Sequence, residues 1–233
     1  MPDKHLSTQF DSELTSVSSQ VMEMGGLVES QIRHAIYSLA QFNMEAAEQV
    51  TANESRVNAM EVEIDHALSS IIARRQPTAR DLRLLIAISK TTANLERVGD
   101  EAEKIARMVR SIIQSGAHRS LPSLELRVAA DLASGMLNKA LDAFARLDVN
   151  AAVAILKEDD LIDNEFDGFV RKLVTYMMED PRTISPCLDL LFLAKAIERI
   201  GDHSKNIAEF IIYVVKGEDV RHTSIENIES VVR

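Results

Sequence analysis

Eight carboxylates of this 233-residue chain are spaced to do one kind of chemistry: Glu61 and Asp65, Glu96 and Asp100, Asp163 and Asp167, and Glu198 and Asp202 each stand four residues apart. On a helix that spacing stacks two side chains on one face, a turn apart. Two such helices side by side offer four hard oxygen donors with no thiolate or imidazole at matched positions, a set that suits Mg²⁺, Mn²⁺ or iron better than zinc or copper. The bland alternative is a solvated acidic surface. With 36 acidic residues, chance alone gives about five such pairs, and like charges at this spacing repel by only about 0.2–0.5 kcal/mol. Repetition is what lifts these pairs above chance. ERVGDEAEKIA at 96–106 and ERIGDHSKNIA at 198–208 agree at Glu, Arg, Gly, Asp, Ile and Ala, and the same offset of 102 lays Met60–Asp65 on Ile162–Asp167 and Leu39 and Phe42 on Leu141 and Phe144.

The elements that must carry these pairs are helices. Only 8 Gly and 5 Pro, no Trp and 9 Met make a composition poor in turns and strands, and the fold class it predicts is all-α. A repeat of about 100 residues is too long for a two-helix solenoid unit and suits three antiparallel helices with short connections. The chain therefore reads as two tandem three-helix bundles related by internal duplication, six long antiparallel helices in all: 1–116, 117–217, and a polar tail at 218–233 with weak periodicity, expected as a frayed or partner-ordered helix. Phe10, Leu14, Val17, Val21, Met24, Val28, Ile32, Ala35, Leu39 and Phe42 mark the seam of the first helix at alternating three- and four-residue steps. A second helix is expected to run to about Arg75. A third starts at Thr78 with Asp81 closing a box-like cap, and Gly116 to Pro122 is the linker between copies. In both third helices the acidic stripe lies beside the apolar one. Gly99 and Gly201, in mid-helix, imply close approach of a neighbouring helix or open access to the carboxylates. Arg97 and Arg199 read as exposed ion-pair partners.

Several functions are disfavoured. A net charge of −10 without a compensating basic patch argues against nucleic acid. No apolar run approaches the ~20 residues of a membrane span and the N-terminus, Met1–His5, is polar, so a soluble cytoplasmic protein is expected. Cys187 is the single cysteine, which excludes an internal disulfide. A di-iron oxygenase needs two Glu-x-x-His motifs aimed into one core, and Glu63–His66 has no partner, since the second copy reads Glu165–Gly168. No phosphate loop, nucleophile triad or reactive thiol is visible, and the reading is non-enzymatic. A spectrin-like helical scaffold is the competing reading; it predicts an end-to-end rod without metal.

The two ERxGD signatures, the acidic pairs at Glu61–Asp65 and Asp163–Asp167, and the closing IAEFIIYVVKGEDVRHTS at 207–224 together resemble the PhoU family of bacterial phosphate-specific transport accessory proteins. The resemblance spans essentially the whole chain. It implies paired three-helix bundles, homodimers, and metal held by Glu61, Asp65, Glu96 and Asp100 in one copy and by Asp163, Asp167, Glu198 and Asp202 in the other. It further implies negative regulation of the phosphate-starvation (Pho) response, in which the phosphate ABC transporter, through its ATPase, is coupled to a phosphate-sensing histidine kinase. Position 206 is the Asn familiar in such motifs, whereas position 104 is Lys, so the two sites need not have equal affinity.

Overall fold

The computed structural model describes residues 8–116 and 121–232. The expected boundary after Gly116 runs into 117–120, outside the described residues, as do Met1–His5. The helices are α1 (Thr8–Gln41), α2 (Met44–Arg75), α3 (Ala79–Ser115), α4 (Leu126–Arg146), α5 (Val149–Glu179), α6 (Ile184–Lys216) and α7 (Ile225–Val232). Their ends follow from local chemistry. Asn43 and Asp148 cap α2 and α5 by accepting from the backbone N–H of Ala46 at 2.8 Å and of Ala151 at 3.0 Å. Gly116 and Gly217 end α3 and α6 in the left-handed region, at φ 71° and 80°. Thr78 occupies the N-cap of α3, but its hydroxyl makes no capping bond.

Each set of three long helices packs on itself, and the two sets then lie side by side: α3 runs along α6 and α1 touches α4, over one continuous core. The order across the molecule is α2–α3–α6–α5, with α1 and α4 behind. In the central pair, Glu101 meets Arg199, Ser111 Oγ donates to Asp189, and Arg83 Nε donates to the carbonyl of Val214, so α3 and α6 run antiparallel. This lateral seam is incompatible with an end-to-end rod. The segment after Gly217 is also more than a loose tail: Val220 and Ile228 are buried, Lys157 pairs with Glu229, and Lys216 Nζ donates to the carbonyl of Val232 at 2.7 Å. The expected helix is present as α7 and docks on its own chain; its periodicity is weak because a single side chain, Ile228, is fully buried.

The register of the duplication is corrected by burial. Ala47, Val50, Val57, Ile64 and Leu68 of α2 are buried, and so are Ala152, Ile155, Ile162, Phe169 and Leu173 of α5, an offset of 105 that also relates the caps Asn43 and Asp148. The offset of 102 holds only for α3 and α6, where Leu95, Val98 and Ile105 match Ile197, Ile200 and Ile207. The second copy is thus three residues shorter at the corner leading into its last helix, and Glu61 and Asp65 are not the counterparts of Asp163 and Asp167. Leu39 likewise matches Phe144, and Leu141 matches Ile36. A slip of three residues turns a helix by about 300°, close to a full turn, so an ungapped comparison of acid-rich helices conceals it.

In this register each motif glycine faces the second helix of its copy. A Cβ on Gly201 would lie 2.8 Å from Ile162 Cδ1, and one on Gly99 would lie 3.4 Å from Val57 Cγ1 and 3.2 Å from Gln31 Oε1. Close approach of α5 is therefore the reason for Gly201, whereas at Gly99 Val57 stands at ordinary contact distance and the tight neighbour is the Gln31 amide of α1. Gly201→Ala is expected to destabilise the protein by about 1–2 kcal/mol through overpacking. In an Ile162→Val background, which removes the clashing Cδ1, the same change should become neutral or stabilising by up to about 1 kcal/mol through helix propensity. Urea denaturation of the four proteins of this cycle checks it; additive effects would rule out the contact.

Candidate metal centre

Acidic clusters form where α3 faces α2 and where α6 faces α5. In the first, Glu54 of α2 lies opposite the Gly99 turn: its Oε2 would be 3.4 Å from a Cβ at that position and accepts a hydrogen bond from Gln31 Nε2 at 3.1 Å. Burial drives the Glu54 carboxyl up to about 7, against the Gln31 hydrogen bond and with help from the charges of Asp100, Glu103 and Glu96. Glu61 is raised by burial and then by Asp65 and Asp100, with Arg97 opposing, and Glu96 by burial and then by Asp100 and Glu61, again against Arg97. Asp65 belongs to the margin. It is exposed, one turn nearer the corner, and accepts from Ser89 Oγ at 3.1 Å.

In the second cluster burial pushes Asp202 up to about 6, reinforced by Glu198 and Asp159, opposed by Lys195, and raised again by Asp163. Asp163 is itself raised by burial, Asp159 and Glu198, with Lys205 opposing. Asp167 is exposed, and the largest charges acting on Asp163 and Asp202 come from other residues. The structure thus brings Glu61, Glu96 and Asp100 together with Glu54, and Asp163, Glu198 and Asp202 together with Asp159. Glu54 and Asp159 are the residues that sequence reasoning missed. They are true counterparts in the corrected register, each one turn before the residue that packs on a motif glycine, Val57 or Ile162.

The donor set is all oxygen, as a hard cation requires. Glu54 Oε1, a buried carboxylate oxygen without a hydrogen-bond partner, adds unmet demand for positive charge, whereas Glu198, whose Oε2 also lacks a partner, accepts from Lys195 through its other oxygen; the chemistry of the first set fits such an ion. Among the described residues no three His, Cys, Asp or Glu side chains converge tightly enough to hold an ion as they stand. Asp100 and Asp163 are exposed.

Beside the clusters the α3/α6 seam carries its own charges. Glu101, 3% exposed, accepts from Lys104 at 2.7 Å and from Arg199 of the opposite helix at 2.8 Å. Arg199 is thus the exposed partner of a buried acid. The position equivalent to Glu101 is His203, whose Nδ1 donates to Asn94 Oδ1 at 3.2 Å. Burial, with Arg199, Arg97 and Lys104 nearby, lowers its imidazole to about 4 and keeps it neutral. Cys187 is fully buried, and burial pushes its thiol up, away from reactivity.

A carboxyl held above its ordinary value favours its protonated form in the fold. Metal-free protein therefore retains protons that the unfolded chain has released, and its stability falls as pH rises from the ordinary glutamate value of 4.5 through about 7. Glu54→Gln keeps an acceptor for Gln31 and removes the charge. Urea melts of the metal-free variant are expected to show a smaller loss between pH 5 and pH 8 than the parent; parallel losses would count against a strained Glu54.

A family model described as the PhoU domain matches this chain twice, over residues 21–109 and 126–211. A phosphate-specific transport system accessory protein PhoU homolog from Burkholderia sp is 52% identical over 98% of this chain and 97% of its own length. The phosphate-specific transport system accessory protein PhoU of Escherichia coli (strain K12) is 48% identical, over 99% of this chain and 95% of its own. Among solved structures, PhoU from Pseudomonas aeruginosa superposes with a TM-score of 0.87 at 44% identity, covering 90% of this chain and all of that one. The phosphate transport system regulatory protein PhoU from Streptococcus pneumoniae gives 0.84 at 27%, covering 91% of this chain and 99% of its own.

Proposed function

The chain belongs to the PhoU family, and from that premise we propose that it is a non-catalytic accessory protein of phosphate transport that restrains the phosphate-starvation (Pho) response. The observation that carries this reading is likeness over nearly the full length to proteins named for that accessory role. The finer reading is an adaptor. It links the phosphate ABC transporter, through its ATPase, to a phosphate-sensing histidine kinase, modulates phosphate uptake, and works in the cytoplasm as a homodimer of two-repeat chains.

The surface supports an adaptor. Ile184, Leu188 and Phe192 follow one another at four-residue steps on the solvent side of α6 and are 43%, 41% and 56% exposed. Such an apolar strip, on a helix that also carries charged clusters, is suited to a protein partner. No helix among the described residues is long and apolar enough to cross a membrane.

The clusters are read as metal sites for Mg²⁺, Mn²⁺ or iron. Glu61, Glu96 and Asp100, with Asp65 at the margin, serve the first copy, and Asp163, Glu198 and Asp202, with Asp167 at the margin, serve the second. A bound cation supplies the positive charge that these carboxylates lack. The chain's own part is to hold like charges close together on paired helices, which keeps the outer face sensitive to cations.

Deletion of the gene is expected to leave phosphate-starvation genes on in phosphate-rich medium, measured by reporter or transcript level. Normal repression in the deletion strain would refute the regulatory reading. Crosslinking of purified protein with transporter ATPase and kinase should place contacts on the outer face of α6, and Phe192→Glu should weaken them by about tenfold; unchanged binding would move the interface elsewhere.

A further inference from the structure

We propose that the two clusters are unequal sites: the α2/α3 cluster takes a multivalent cation tightly, while Lys195 and Lys205 are built-in counter-ions that weaken the α5/α6 cluster as a site for it. This rests on the metal reading above and deepens it.

The corrected register shows the difference position by position. Glu54, Glu96 and Asp100 match Asp159, Glu198 and Asp202. Around this shared triad the copies diverge in charge: Glu103 of the first is Lys205 in the second, Ala93 is Lys195, and Glu61 is Phe166. Asn58, replaced by Asp163, Ser55, replaced by Asp160, and Lys104, replaced by Asn206, go the other way, but Lys104 is engaged with Glu101 rather than with the triad. Both lysines are engaged. Lys205 Nζ donates to Asp159 and Lys195 Nζ donates to Glu198, with the Lys195 ammonium also 5.3 Å from the centre of the Phe166 ring. Burial works against the charge of Lys205, but the hydrogen bond to Asp159 and the charges of Asp159, Glu209 and Asp202 outweigh it and hold the ammonium above the ordinary lysine value. A cation entering here must displace two ammonium groups that are already paired.

The first cluster holds no lysine in direct contact with its triad among the interactions described, and Arg97 opposes it only through space. It also has a polar floor. Gln31 is 0% exposed, donates to Glu54, and directs its Oε1, which has no partner, at the space left open by Gly99 beside Asp100. The second copy has Met136 at that place, fully buried and apolar. A buried amide oxygen without a donor, beneath a cluster of carboxylates, fits a hard cation and has no equivalent in the second copy.

The test uses the full metal-stripped chain titrated with Mn²⁺ alone, following free ion by electron paramagnetic resonance and heat by calorimetry. One tight class is expected, with any second class weaker by about tenfold or more. Asp100→Asn should abolish the tight class and Asp202→Asn should leave it. Lys195→Ala with Lys205→Glu, which copies the first cluster, should bring a second class to within about threefold of the first, whereas Lys205→Arg should not. Two indistinguishable classes in the parent, insensitive to the lysine changes, would overturn the inequality and leave the metal reading standing. No Mn²⁺ binding in the parent would overturn both. Circular dichroism monitors folding of each variant; if the double lysine variant fails to fold, the Asp100 and Asp202 variants decide, and loss of the tight class in Asp202→Asn alone overturns the proposal.

Discussion

Glu101 sits at the centre of the molecule with its carboxylate closed off from water, and a carboxylate so placed has to find its cations in the protein. One comes from its own helix, Lys104, and the other, Arg199, from the opposite half of the chain. The antiparallel contact of α3 and α6 is built around that demand together with the apolar residues beside it. Once α3 and α6 are joined face to face, α2 and α5 can only flank them, and α1 and α4 are left to close the back. The acidic stripes, lying beside the apolar ones, are then carried to the two outer helix pairs, where they meet α2 and α5 while staying within reach of solvent.

Glycine makes the outer pairs tight. At Gly99 and Gly201 the facing helix comes within van der Waals contact of the backbone, and the acid one turn before the packing residue is drawn in with it. Burial and mutual repulsion then act on the same groups. Glu54 is accordingly driven up to about 7, while Asp202, on the glycine's own helix, is driven up to about 6 by burial with Glu198 and Asp159 beside it. Neither group has a feature of its own that marks it out. Position relative to a missing side chain does.

Much of the architecture was legible in the amino-acid sequence. The seam from Phe10 to Leu39 is buried as its spacing requires, Gly116 and Gly217 end their helices, and the ERxGD segments fall on the last helix of each copy. The second-helix carboxylates that join the clusters were less legible. Helices this rich in Asp and Glu look alike after a slip of three residues, and the distinguishing signal is in the apolar residues: Val57 and Ile162 match, and so do Ile64 and Phe169. The seam itself was invisible, since the residue types of Glu101 and His203 do not reveal that each is enclosed by the other half of the chain. Asp65 and Asp167 are exposed, one turn further along their helices than Glu61 and Asp163.

The seam has the symmetry of a two-fold dimer interface, in which each partner offers the same surface to the other. A true dimer of one repeat would be obliged to keep every seam residue twice, so Arg97 would meet Glu101 on both sides of the axis. Joining the halves in one chain lifts that obligation. One side retains the Arg199–Glu101 pair, and the other has Arg97 beside a neutral His203. Covalent linkage has converted a symmetric interface into one whose two sides can specialise separately, and the unequal charge of the two clusters is that freedom expressed at the surface.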